Sequence, residues 1–181
     1  AIYSKHPQIK KKTVSIKGER MNNTCIYSDM IINEDTIRVY NIHLASNWFK
    51  NTDYSFIQNP QKEKIKEGII GITKRMKSSF IKRAEEVEII KQHMADCTYP
   101  TIVCGDFNDT PLSYAYNSIK GDLSDAFSIS GKGIGDSFVK IPALRIDYIL
   151  HDNKLKSSNY QKHKQVLSDH YAVSCEIEIG N

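Results

Sequence analysis

Four short stretches of this 181-residue chain put ionisable or amide side chains where apolar runs end. They are Asn41-Ile42-His43-Leu44, Gly105-Asp106-Phe107-Asn108, Arg145-Ile146-Asp147-Tyr148 and Ser168-Asp169-His170. Carboxylates and amide oxygens are hard donors suited to Mg²⁺ or Mn²⁺. A histidine beside a carboxylate can be held protonated against developing negative charge, or can exchange a proton. Residues i and i+2 of an extended segment face the same side, so Asp106 and Asn108 can converge on one ligand while Phe107 packs inward. Gly105 before them permits a sharp turn or a close backbone approach. In a regular strand Asp169 and His170 would face opposite sides, so both reach one site only where the backbone departs from strand geometry before Tyr171. Taken singly, each stretch has a bland reading. A strand-end histidine is commonly a hydrogen-bonded structural residue, and Asp-x-Asn after a strand is commonly a turn.

Strands must position these residues. Ala1 to Ser4 is a short apolar piece, and Thr13 to Ile16 alternates polar with apolar. Thr24 to Ile32 and Thr36 to Leu44 flank the polar turn Asn33-Glu34-Asp35, a hairpin pattern. Ala45 to Pro60 reads as an irregular aromatic loop in which Trp48 and Phe49 could stack on a ligand, ordinary loop packing being the simpler reading. Gln61 to Met94 reads as helix, interrupted around Gly68 to Gly71, with Phe80, Ala84, Val87, Ile90 and Met94 as its apolar stripe and the intervening charges as a solvated face. Thr101 to Cys104 is a strand, Leu112 to Ile119 a short helix, and Arg145 to Leu150 another strand. From Tyr171 to Ile179 strict alternation marks the last strand, with one face inward. Strands on both sides of one long helix, without βαβ alternation, predict a layered α/β fold of mixed sheets. Gly131-Lys132-Gly133-Ile134-Gly135 lacks P-loop order and reads as a flexible loop that rims the site. Lys154, Lys156, Lys162 and Lys164 either steer an anion or protect a strand edge.

Composition narrows the classes. With 40% hydrophobic and 25% charged residues, the chain is globular rather than disordered. Its 25 basic against 21 acidic residues give a formal net charge of +4, compatible with a phosphorylated ligand but short of the footprint of a dedicated nucleic-acid binder. Cys25, Cys97, Cys104 and Cys175 lack metal-site spacing and read as small buried hydrophobes. No apolar run is long enough for a membrane span. The compartment stays open.

As an ordered set, Asn-x-His-Leu, Gly-Asp-Phe-Asn, Arg-x-Asp-Tyr and Ser-Asp-His resemble the endonuclease/exonuclease/phosphatase superfamily of metal-dependent phosphoesterases, which includes pancreatic deoxyribonuclease, abasic-site endonucleases and neutral sphingomyelinases. The resemblance runs from Ala1-Ile2-Tyr3-Ser4 to the last strand. It implies a layered β-sandwich of mixed sheets flanked by helices, and divalent-metal-dependent hydrolysis of phosphate esters by direct water attack. Asp106 and Asn108 would orient water, phosphate and a metal ion, and Asp169 would be a metal ligand. His170 would be the essential histidine, Asp147 the carboxylate that sets its tautomer and charge, and His43 the contact to the scissile phosphate. Mg²⁺ or Mn²⁺ is the implied cofactor, and the implied partner a phosphorylated substrate, nucleic acid among the candidates.

The sequence also departs from the family. The early strands that carry an asparagine and the main metal-binding glutamate have no counterpart, and Glu19 and Glu34 both follow the Ala1 to Lys5 segment instead of preceding it. Residues 1–181 therefore read as a single domain, the C-terminal part of such a fold without its N-terminal strands. On that reading these residues alone bind metal weakly and turn over little, and the upstream segment or another copy of the chain covers an open sheet edge. Two alternatives remain: a non-catalytic binding module that keeps the fold, and a phosphomonoesterase acting on lipid or sugar phosphates.

Overall fold

A computed structural model describes residues 1–16, 24–47, 49–59 and 65–180. Glu19 and Trp48 lie outside the described residues. The elements run β1 (Gln8–Val14), β2 (Thr24–Ile32), β3 (Asp35–His43), α1 (Asn51–Gln58), α2 (Ile65–Ala95), β4 (Thr101–Asp106), α3 (Tyr114–Lys120), β5 (Ser124–Asp125), α4 (Ala126–Ser130), β6 (Asp147–His151), β7 (Lys156–His163) and β8 (Ala172–Glu178).

Six strands form one mixed sheet in the order β1-β2-β3-β4-β6-β5, and β7 and β8 form a separate antiparallel pair. The expected hairpin is present: Asn33 and Glu34, at φ 49° and 73°, form its two-residue turn, and Ile32 pairs with Asp35. Positive φ at both central residues matches the right-handed twist of the flanking strands. β3 and β4 pair in parallel, which requires a long crossover, and α1 and α2 supply it. Val87 and Ile90 of α2 pack on Tyr40, Ile42, Val103 and Leu150 of the sheet, all of them buried. No helix among the described residues is long and apolar enough to cross a membrane, and all four cysteines are free thiols.

The layered mixed α/β fold is the expected one, with local corrections. Ala1 to Ser4 is not a strand; pairing begins at Gln8, where β1 finds β2 as a partner. Ala45 to Pro60 is not wholly irregular. The backbone N–H of Lys50 donates to the Asp53 carboxylate at 2.7 Å, closing the first turn of α1. α2 runs unbroken through Gly68 and Gly71. Gly68 serves packing instead, because a Cβ there would lie 2.7 Å from the Phe56 ring of α1.

The expected stripe on α2 is rotated by about one position. Its buried line is Ser79, Arg83, Glu86, Val87 and Ile90, while Phe80 is 42% exposed. Arg83 and Glu86 therefore do not belong to a solvated face, because buried polar partners replace the water they would otherwise need.

Candidate active site

Three of the candidate residues form a row because their strands are neighbours. His43 pairs with Asp106 in the β3–β4 register, and Asp106 opposes Asp147 in the β4–β6 register. Parallel pairing brings the C-terminal ends of β3 and β4 together, and antiparallel β6 starts beside them. In-register neighbours point to the same face of a sheet. Gly105 makes the close approach possible. At φ 143°, a Cβ on it would stand 1.9 Å from the carbonyl oxygen of Ile42, so any side chain would push β3 and β4 apart.

His170 joins from the segment preceding β8. Residues 137–139 hold it there: Tyr171 N–H donates to the Ser137 carbonyl at 2.7 Å, and Val139 N–H donates to the Asp169 carbonyl at 2.9 Å. The fully buried Ser137 hydroxyl also accepts from the backbone N–H groups of Ile146 (3.1 Å) and Asp147 (3.0 Å), so one serine braces both Asp147 and the His170 segment. The backbone is irregular here as the motif required. Ser168 Oγ accepts from His170 N–H, and both Asp169 and His170 line the same cavity.

The resulting geometry is compact. His170 Nδ1 lies 2.8 Å from Asp147 Oδ2, while its Nε2 is 3.8 Å from Asp106 Oδ2. On the other side His43 Nε2 is 3.7 Å from the same Asp106 oxygen. Asp106 thus sits between two imidazoles. Asn108, in the left-handed region at φ 53°, turns back onto it: its backbone N–H donates to Asp106 Oδ1 at 2.7 Å. Its side-chain amide donates to Asp106 Oδ2 and to the Leu44 carbonyl, each at 3.0 Å. The Phe138 ring stands edge-on to His170 with centroids 5.1 Å apart.

Two opposite shifts follow. The Asp147 hydrogen bond raises the His170 imidazole above its ordinary range, burial working against it. Burial, with Asp147 close by, pushes the Asp106 carboxyl up to about 6, against the pull of Asn108 N–H and the two histidines. One consequence is directly measurable. Replacing Asp147 by asparagine removes the main cause of the His170 shift and leaves burial opposing the charge, so NMR titration is expected to show the His170 pKa falling below its wild-type value. An unchanged titration would mean that Asp147 does not set the charge of His170.

Asp106, Asp147 and His170 each offer a ligand atom within 4.8 Å of the others. Two carboxylates beside a cavity fit a small divalent cation that keeps several waters, and a cation is the counter-charge that would hold Asp106 ionised. Asp169 lines the cavity but does not join this cluster. Its half-exposed carboxylate lies 3.4 Å from Lys140 Nζ.

Other sequence features fall elsewhere. Arg145 is buried and donates to Asp125 at 2.8 Å, anchoring the start of β6. Gly131 to Gly135 does not rim this cavity; Gly133, Ile134 and Gly135 line a separate pocket with Lys132, Lys162 and Lys164, because residues 137–139 turn away to pair with Asp169 and Tyr171. Lys162 is paired with Asp136 at 2.6 Å. Phe49 lines the cavity, and Glu34 lies at the opposite end of β3 from His43.

Sequence reasoning missed the residue that ties the site loops together. Arg83 Nε donates to Asp109 at 2.9 Å, and its Nη1 donates to the Ala45 carbonyl at 2.7 Å, while Asn47 Oδ1 accepts at 3.2 Å. Glu86 accepts from Ala45 N–H at 2.8 Å. One buried guanidinium thereby spans the loops that follow His43 and Asn108. The available signal was an arginine and a glutamate at i+4 and i+7 from Ser79, in line with Val87 and Ile90.

Over residues 1–170 the chain matches the family described as the endonuclease/exonuclease/phosphatase family. Solved structures share the fold at low identity. A mannosyl-6-phosphatase of Bacteroides thetaiotaomicron aligns at TM-score 0.61 and 14% identity, over 96% of this chain and 67% of its own. The catalytic domain of human nocturnin with bound sulfate aligns at 0.60 and 15%, over 95% and 59% respectively. Beta toxin of Staphylococcus aureus aligns at 0.58 and 16%, over 96% and 65%. The chain thus spans about two-thirds or less of these structures. No curated protein matches its sequence.

Proposed function

Because the chain belongs to the endonuclease/exonuclease/phosphatase family, whose members are phosphoesterase hydrolases, we propose that it hydrolyses phosphate esters by direct attack of water, with a divalent metal ion. The observation that carries this reading is Asp106 standing between two imidazoles, one of them held by Asp147. Mg²⁺ or Mn²⁺ would neutralise phosphoryl oxygens, held by Asp106, with Asn108 and Asp169 facing the same cavity.

The chain's own side chains divide the remaining work. Asp106, ionised beside the cation, orients the attacking water and takes its proton. His170, kept charged by Asp147, stabilises the negative charge that builds on the phosphoryl oxygens and can protonate the leaving oxygen. His43 faces the phosphate from the opposite side. Asn108 orients Asp106 through its amide and backbone N–H.

The test is hydrolysis of bis(p-nitrophenyl) phosphate with Mg²⁺ or Mn²⁺ in ¹⁸O-labelled water. One label in the product phosphate is expected; a trapped phosphoenzyme would overturn direct attack. Turnover should fall at acid pH, since Asp106 must be ionised to act as base, and the bound cation should set that limb below the value of about 6 to which burial pushes the carboxyl without it. It should fall again as pH rises through the raised His170 pKa, where the cation is lost. Phosphate binding without any turnover, also when the upstream segment expected from the sequence is present, would make the chain a binding module instead.

A further inference from the structure

Building on the reading of this cavity as the place where a phosphate ester is cleaved, we infer that the group carried by the scissile phosphate is apolar and compact, an aromatic ring or a short hydrocarbon chain. The cavity has a volume of about 630 Å³, ample for a small organic ligand. Its two sides differ in chemistry. The polar lining comes from segments at the strand ends, His43 to Asn47, Asp106 to Thr110, and Asp169-His170. Among the described residues, every lining side chain supplied by α1 and α2 is apolar or aromatic: Tyr54, Ile57, Ile72, Met76 and Phe80. Ile141 and Leu144 continue that wall from the segment before β6.

These side chains are not spent on the core. Ile57 and Phe80 remain 37% and 42% exposed, facing a cavity whose other side carries the reactive groups. The wall is also fixed in place. Phe56 packs on Gly68, Arg75 pairs with Asp53, and Gln58 donates to the Lys140 carbonyl at 3.0 Å. α1 is thereby pinned to α2 and to the 138–146 segment, and a preformed apolar wall binds without an ordering cost.

The rival occupants fit worse. Polynucleotides need cations that follow the backbone. No lysine or arginine lines the cavity among the described residues, and the neighbouring Lys140 is held by Asp169 and the Tyr54 ring. A sugar would need hydrogen-bonding groups opposite the phosphate, where this wall offers a single phenol among the described residues.

Calorimetric titration of the 181-residue chain, with Mg²⁺, by n-alkylphosphonates from methyl to hexyl and by phenylphosphonate tests the inference without requiring turnover. Affinity is expected to rise about two- to fourfold per methylene. A phenyl group far stronger than the alkyl trend assigns an aromatic occupant, and a continuous rise to hexyl assigns a chain. In Ile72→Ser and Met76→Ser the gain per methylene should shrink; if either fails to fold, the wild-type series decides alone. A flat series, or tighter binding of glycerol phosphate or a dinucleotide than of hexylphosphonate, overturns the inference. A rising series with no ester cleaved, also when the upstream segment expected from the sequence is present, keeps the apolar pocket and sinks the hydrolytic reading. Cleavage with flat binding does the reverse.

Discussion

Replacing His170 by alanine is expected to lower kcat for a phosphodiester by about 10²–10⁴-fold, with a much smaller change in KM. The size follows from what the imidazole does: it is a cation whose charge is held by a hydrogen-bonded carboxylate, Asp147 at 2.8 Å. That charge is worth most where negative charge develops, in the transition state, and little to the ground-state ester. Asp147→Ala should lose part of the same effect, and the double variant should be little worse than His170→Ala, since the two act as a unit. Steady-state kinetics on the three variants checks this. A His170→Ala enzyme within tenfold of wild type would remove His170 from the mechanism.

Arg83→Met is expected to destabilise the fold by about 3–5 kcal/mol, the range for breaking a buried ion pair by removing one partner. The guanidinium is fully buried, and burial already lowers the Arg83 pKa and raises that of Asp109 despite their pairing. Without Arg83, the Ala45 carbonyl loses its side-chain donor and the Asp109 carboxylate loses its counter-charge, keeping the Thr110 N–H at 3.0 Å. The pH dependence has a definite sign. Asp109, already raised in the folded state, would rise further in the variant, so the folded form would prefer the protonated acid. The destabilisation should then be smallest at acid pH, below the unfolded carboxyl value, and grow as pH rises through the folded one. Denaturant melts near pH 4 and pH 8 measure it, and Arg83→Met/Asp109→Leu should recover part of the loss. If the double variant is no more stable than the single at pH 8, the ion pair is not what the arginine contributes. Activity bears on the same point, because Arg83 holds the loops after His43 and Asn108; a stability loss with site geometry intact would make it purely structural.

The sequence by itself determined the local chemistry and much of the local structure. The β2–β3 hairpin was legible because alternation and a polar turn are properties of neighbouring residues, and the i, i+2 logic of Asp106 and Asn108 holds within one segment. The ordered motifs pointed to the family for the same reason. Helix α1 was not legible, since eight residues with a weak stripe gain their stability from Phe56 on Gly68 and Asp53 with Arg75, contacts made only across the fold. Nor was the exact face of α2, where partners distant in the chain decide whether a charged side chain is solvated or buried. Only the tertiary structure set His43, Asp106 and Asp147 in one row and separated Asp169 onto Lys140, because strand register and ion pairing are long-range choices. A side chain's type states which reactions are open to it; the distances to its neighbours in space, which no local pattern encodes, decide its charge and its partner.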